Sequence, residues 1–228
     1  MQPASLSATS VAVAAILGYL LGSVPFGYLA GKTRGVDIRK HGSGAIGATN
    51  TLRVFGAGLA IVVALLDVSK GLVAALLGRY VTGDPFWGVA IGGAAVITGH
   101  SWSIFLGFKG GKSVAASSGV LLFFMPALGA AAVVVFLVLV VATRYVSLGS
   151  MAGAAVAAVL GLFWPGLPLP YRLFLVYAAA IILYRHQSNL RRLLAGTESK
   201  FGQRVDPGSG TGAETGTSKG AKGGHQGD

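Results

Sequence analysis

The chain has 228 residues, 53% of them hydrophobic and only 11% charged, with a mean hydropathy of +0.70. A soluble domain carries about 25% charged residues, so the composition excludes one and indicates an integral membrane protein. The net charge of +11 sits in short clusters between apolar spans, without an aromatic-interleaved basic stripe, which argues against a nucleic-acid partner; the absence of cysteine excludes disulfides, thiolate nucleophiles and thiolate metal sites.

The opening MQPASLSATS lacks a basic n-region, so the first apolar segment is expected to be a retained helix. Residues 10–31 form that span, with Pro25 inside it. Lys32 and Arg34 follow, which by the positive-inside rule puts the N-terminus outside and the next loop in the cytoplasm. That loop, Arg39 to Arg53, reads RKHGSGAIGATNTLR. It combines Gly42, Gly44 and Gly47 with Ser43, Thr49, Asn50 and Thr51 and with the cations Arg39, Lys40 and Arg53, a set suited to a phosphorylated ligand. The three glycines also match G-x-G-x-x-G, with Asp67 twenty residues further on. The preceding run is basic and glycine-broken rather than a strand, and Asp67 falls in an apolar segment, so a dinucleotide site is rejected.

A second span, Ala57 to Gly78, carries Asp67 and Lys70 at i, i+3. Such groups must pair or face a polar interior, and two readings stand: an ion pair anchoring the loop, or direct ligand contact. After an outside turn at Arg79, Asp84 and Pro85, a third span of about Phe86 to Phe105 leads into GHSWSIFLGFKGGKSV. A Walker A motif would need glycine where Leu106 stands, so that reading fails. Lys109 and Lys112 can be positive-inside anchors, but Gly110, Gly111, Ser113, Ser117 and Ser118 around them favour a second anion-binding loop.

The run Val114 to Thr143 is 30 residues, about 45 Å as one helix, and contains Pro126. Arg144 should lie on the same side as Lys112, so the run is expected to cross twice, bent at Met125 and Pro126. Two more spans, Val146 to Phe163 and about Arg172 to Tyr184, flank an outside turn at Pro165 to Pro170, giving an all-α fold with seven transmembrane helices, several of them short. A five-span alternative would make Val114 to Thr143 a re-entrant hairpin. The third polar cluster, YRHQSNLRRLLAGTESKFG, places Arg185 or His186 on one helix face with Asn189; His186 is either a structural donor or a general base. Residues 1–204 are thus expected to form the membrane domain, and the glycine-rich residues 205–228 a disordered cytoplasmic tail.

The three clusters share the cytoplasmic face and hold many cations, hydroxyls and amides, with only Asp37 and Glu198 as nearby acids. Metal-assisted chemistry lacks its usual ligands, and neither a Ser-His-Asp set nor paired carboxylates stand out. The pattern suits the binding of two anionic groups while a reactive substrate supplies the driving force.

The blocks HGSGAIGATNTLR, GHSWSIFLGFKGGKSVA and YRHQSNLRRLLAGTE, in this order over about residues 10–202, resemble the PlsY-type bacterial acyl-phosphate:glycerol-3-phosphate acyltransferases. The resemblance implies a seven-helix enzyme of the bacterial inner membrane; a monomer among membrane lipid is expected. It would move a fatty acyl chain from acyl phosphate to the 1-position of sn-glycerol 3-phosphate without metal, nucleotide or other cofactor. It also implies a catalytic set of Ser43, Arg53, Lys112, His186 and Asn189, with Gly42, Gly44, Gly47 and Ser150 in substrate or phosphate binding; the composition of the two loops adds Asn50, Lys109, Gly110 and Gly111 to the binding set. The chain departs from the family pattern at Ala45, where asparagine is expected, at Ser113, where glycine is expected, and near Ser103, where proline is usual. Two rival functions are a membrane acyltransferase using acyl-CoA or acyl carrier protein and a phosphate or organic-anion transporter. The first would bring a His followed four residues later by Asp, which is absent, and the second cations at the midplane with repeat symmetry, which the sequence does not show.

Overall fold

The computed structural model describes residues 6–203, and the expected tail at 205–228 lies outside them. The described residues are helical throughout, joined by turns, bends and two short 3-10 segments. Helix α1 (Ala8–Ser23) stops where Val24 turns extended ahead of Pro25, and α2 (Phe26–Lys32) resumes beyond it. A 3-10 turn (Ile38–Lys40) and α3 (Ala48–Phe55) make up the first polar loop, followed by the long α4 (Ala57–Thr82). Asp84 accepts hydrogen bonds from the amides of Phe86 (2.8 Å) and Trp87 (2.7 Å) and so starts α5 (Trp87–Ser101). The rest comprises α6 (Val114–Phe124), α7 (Pro126–Thr143), α8 (Val146–Phe163), α9 (Leu169–Arg185) and α10 (Gln187–Leu194).

Among the described residues, five segments are long and apolar enough to cross a bilayer: Ala8–Lys32, Ala57–Thr82, Trp87–Leu106, Pro126–Thr143 and Val146–Phe163. Lipid supplies no hydrophobic drive between helices, so association depends on close backbone approach. On α5, a Cβ at Gly99 would overlap the Tyr19 carbonyl of α1, and one at Gly119 of α6 would overlap the Val68 carbonyl of α4. The apolar centre lies among α4, α5, α6, α8 and α9, with Val89, Val96, Ile97 and Val120 fully buried.

The 30-residue run breaks at the expected place: Met125 leaves the helical conformation (φ −151°, ψ 73°) and Pro126 occupies the first turn of α7, where its missing N–H costs nothing. Gly129 sits against Leu121 and Leu122, while Val114 and Phe136 line one cavity, so α6 and α7 run antiparallel. At the far end Phe124 stacks on Tyr171 (4.2 Å between centroids), whose hydroxyl donates to the Pro85 carbonyl (2.7 Å). Eleven residues of α6 rise roughly 16 Å and the eighteen of α7 roughly 27 Å from that level. The short helix therefore sinks the loop carrying Lys112 well below the end of α7.

Candidate active site

The first loop is organised by Asn50, which is buried and whose amide is fully engaged by backbone. Its Oδ1 accepts from Ser43 N (2.9 Å), and its Nδ2 donates to the carbonyls of Ala45 (2.8 Å), His41 (3.1 Å) and Ile38 (3.3 Å). Gly42 has φ +59°, and a Cβ there would strike Asn50 Oδ1, so the tight approach needs glycine. Ile38, Ile46 and Val54 seal the loop from below. The result is an α3 N-terminus opening into a cavity, with Ser43, Ala45, Gly47 and Thr49 on its rim and Arg53 on its wall. Helix N-termini present unpaired amides to anions. Burial holds the Arg53 guanidinium below its ordinary pKa; one of its nitrogens donates to the Ser199 carbonyl (3.3 Å).

The second loop is pinned from two sides. Gly111 N donates to the His100 carbonyl (2.9 Å), and Arg185 forks onto the carbonyls of Gly110 (2.8 Å) and Gly111 (3.0 Å). Arg185 is thereby occupied as a clamp, and it is His186 that shares the cavity with Asn189. Ser113 stands at φ +59°, the left-handed conformation that explains a glycine preference at this position. Serine is held there by hydrogen bonds between its hydroxyl and Ser101 Oγ (2.7 Å) and the Ile97 carbonyl (2.9 Å). Ser103, with a proline-compatible φ of −67°, donates instead to the Ser23 carbonyl (2.6 Å).

Lys112 reaches into the cavity and donates to Asn189 Oδ1. Asn189 Nδ2 donates to Glu198 Oε1 (2.6 Å), which also accepts from Ser147 Oγ (2.7 Å), while Arg192 Nε donates to Glu198 Oε2 (2.7 Å). Burial opposes ionisation of Glu198, but the hydrogen bonds from Asn189, Ser147 and Arg192 outweigh it and hold the carboxyl below the usual range. Burial, with the cations of Arg192, Arg53 and Arg185, brings Lys112 down to about 8 despite the opposing pull of Glu198. His186 lies 2.8 Å from the Ile182 carbonyl through Nδ1. A carbonyl only accepts, so that nitrogen carries the proton and Nε2 is the free acceptor. Burial, followed by the charge of Lys112, lowers His186 to about 4, leaving it neutral at pH 7.

The structure thus gathers Ser43, Gly47, Asn50, Arg53, Lys112, Ser150, His186 and Asn189 around one cavity of about 190 Å³. Five other expected contacts lie off it. Gly42 and Gly44 shape the loop from outside, Lys109 is exposed, and Gly110 and Gly111 pack on α5 beneath the Arg185 clamp. Glycine here creates close approach rather than an open cradle. Asp67 and Lys70 form the ion pair (2.8 Å), with Lys70 also donating to the carbonyls of Gly22 and Val24 (3.1 Å each), and Asp67 and His100 reach the cavity floor. Sequence reasoning gave no role to Glu198 or Ser147; a lone acid among the cations of the third block was the available signal.

Two further cavities adjoin the first. One of about 200 Å³ shares Thr49, Arg53 and Val146 with it and runs under Phe201 and Gly202. The other, about 330 Å³ and almost wholly apolar, shares Val114, Phe136 and Ser150 and extends among α6, α7, α8 and α9.

Fold and site define a polytopic helical membrane protein in which a small cationic cavity opens into an apolar groove. The chain belongs to the glycerol-3-phosphate acyltransferase family, which matches residues 12–196. A glycerol-3-phosphate acyltransferase of Symbiobacterium thermophilum is 47% identical over 193 residues, covering 85% of this chain and 96% of that protein; one of Synechococcus elongatus is 46% identical over 204 residues, covering 86% and 97%. Crystal structures of PlsY (YgiH), an integral membrane glycerol 3-phosphate acyltransferase, are similar in their glycerol 3-phosphate form (TM-score 0.80) and lysophosphatidic acid form (0.78), each 38% identical and covering 85% of this chain and 96% of the other.

Proposed function

We propose that the protein transfers a fatty acyl group from acyl phosphate to the 1-hydroxyl of sn-glycerol 3-phosphate, releasing lysophosphatidic acid and inorganic phosphate. The observation that carries this reading is the junction of the cationic cavity with the apolar groove through Val114, Phe136 and Ser150. A donor with a charged head and a long chain fits that junction. The polar cavity, about 190 Å³, is lined by Arg53, Lys112, Ser43 and the start of α3, a set that suits compact phosphorylated groups. Glycerol 3-phosphate enters through the cavity under Phe201 and Gly202, which we place on the cytoplasmic side of a bacterial inner membrane with the N-terminus outside.

In this reading the α3 N-terminus, Ser43 and Arg53 hold one phosphate and Lys112 faces the other, with Asn189 and Glu198 fixing the lysine. An acyl phosphate is a mixed anhydride with a good leaving group. Positioning and charge stabilisation at the carbonyl therefore suffice, and no covalent enzyme intermediate is needed. The hydroxyl oxygen attacks the acyl carbon, the bond to the phosphate oxygen breaks, and phosphate leaves. Neutral His186 orients the hydroxyl through Nε2, but at about 4 it is a weak proton sink. A phosphate oxygen, with a second pKa near ~6, is the better one.

Purified protein, supplied with chelator and no nucleotide, should convert acyl phosphate and glycerol 3-phosphate to the 1-acyl product with one phosphate released per turnover, and should leave acyl-CoA untouched. Transfer from acyl-CoA, or none from acyl phosphate, refutes the assignment; saturable phosphate flux without transfer would identify a transporter.

A further inference from the structure

The apolar groove has a measurable depth and a built floor. On α6 its lining runs from Val114 to Leu122, on α8 from Gly149 to Ala157, and on the antiparallel α9 from Ile182 to Phe174. At 1.5 Å per residue these three walls independently give a depth of roughly 10 to 12 Å. One turn beyond Ala157, α8 closes completely: a Cβ at Gly161 would meet Leu175 Cδ1 and, further off, Leu128 Cδ2, and Leu128 is 1% exposed. Phe174 forms the other part of the floor. It meets Phe124 edge to face (5.8 Å), and Phe124 stacks on the same Tyr171 that is tied to Pro85, so the floor is braced by three rings and a hydrogen bond.

We propose that Ala157 and Phe174 together set the acyl-chain length that this enzyme accepts, by closing the groove below the cationic cavity. The proposal rests on the acyl-phosphate reading above and adds its specificity determinant. An all-trans chain advances roughly 1.25 Å per carbon, the 1.52 Å C–C bond projected on its axis, so about eight carbons fit below the level of Ser150. Chains reaching the floor touch Ala157, the smallest side chain there, and Phe174, the largest. Enlarging the first or reducing the second moves the floor in opposite directions. One side of the groove is open: Val133 and Leu137 line it and are 44% and 51% exposed on α7, which gives the chain a lateral path from the bilayer.

The test uses a homologous series of saturated acyl phosphates, each assayed with glycerol 3-phosphate in the same micelles and expressed as variant over wild type, so that partitioning cancels. Ala157→Leu should leave the shortest donors within about twofold of wild type and reduce those reaching the floor by roughly tenfold or more, as overpacking of a tight site does. Phe174→Leu should spare short donors and raise the ratio for the longest. Retained short-chain transfer shows that each variant is folded. A ratio flat across the series in an active Ala157→Leu enzyme overturns the proposal, since the chain would then leave past Val133 and Leu137 before the floor. Uniform loss at every length in both variants overturns it as well. A wild-type enzyme that uses no acyl phosphate of any length refutes the acyl-phosphate reading itself.

Discussion

At the residue scale the site depends on charge held in a partly dehydrated place. Lys112 meets Asn189 and sits among Arg53, Arg185 and Arg192, which, with burial, brings it to about 8. The charged lysine predominates below that value and is lost above it. Glycerol 3-phosphate transfer should therefore rise to a plateau near pH 7 as the accepting phosphate, with a second pKa of about 6, ionises, and decline with a one-proton slope above about 8. His186, near 4, contributes no titration in that range. Steady-state kcat/KM against pH measures this, and a rate that keeps rising to pH 9.5 would show that the lysine charge is not required. On the proposed reading, Lys112→Ala and Arg53→Ala would each remove a charge-assisted contact to phosphate, worth about 1.5 to 3 kcal/mol, and should cost tenfold to more than a hundredfold in kcat/KM without unfolding. Ser113 offers a subtler case. Ser113→Gly relieves a left-handed backbone costing about 1 to 2 kcal/mol but loses the hydrogen bonds to Ser101 and Ile97. These nearly cancel, so thermal stability in detergent should shift little and turnover should persist; a large activity loss would assign the hydroxyl a role in shaping the Lys112 loop.

At the element scale the decisive feature is α6. Its eleven residues are half the usual crossing length, yet it is fastened to α4 by reciprocal small-residue contacts, Gly71 on Ala116 and Gly119 on Val68. Because α6 starts immediately after Ser113, its position along α4 sets how deep Lys112 lies. Gly71→Leu would push the Ala116 backbone away. The expected result is a stability loss of about 1 to 3 kcal/mol, as for overpacking generally, accompanied by a KM increase for glycerol 3-phosphate larger than that for the same change at exposed Gly58 of the same helix, where a Cβ meets nothing within 4 Å. Equal effects at both positions would remove α6 placement from the argument.

At the scale of the whole molecule, contacts bring the Arg39 to Arg53 loop, Lys112, Ser147, Asn189 and Glu198 to one end of the bundle and Asp84, Pro85 and Tyr171 to the other. We expect the site end to face the cytoplasm, since the cationic loops cluster there. The native chain has no cysteine, so single cysteines can be introduced directly. Cysteines at Gly44 and Lys109 should react with an impermeant thiol reagent from the same side and one at Gly83 from the other. Labelling of Gly44 and Lys109 from opposite sides would separate the two loops and dissolve the site.

Much was legible from the chain alone because membrane insertion is dictated by local properties. Apolar run length, the proline at 126 and the placement of cations between runs do not depend on distant contacts, and so the membrane class, the break at Met125 and Pro126 and the α8 limits could be read directly. The three polar blocks likewise announced themselves by composition, and their resemblance to a family pointed to Arg53 and Lys112, which line one cavity. What only the tertiary structure decided was the partner of each group. Sequence shows that Asn50, Arg185 and the glycines of both loops are polar or small, but not that Asn50 and Arg185 are engaged by backbone carbonyls or that Gly110 and Gly111 lie against α5. Nor could spacing join Glu198 to Asn189, Ser147 and Lys112, because that network spans three elements distant in sequence. The groove and its floor belong to the same category: they exist only where four helices leave a gap, and no single helix encodes the gap.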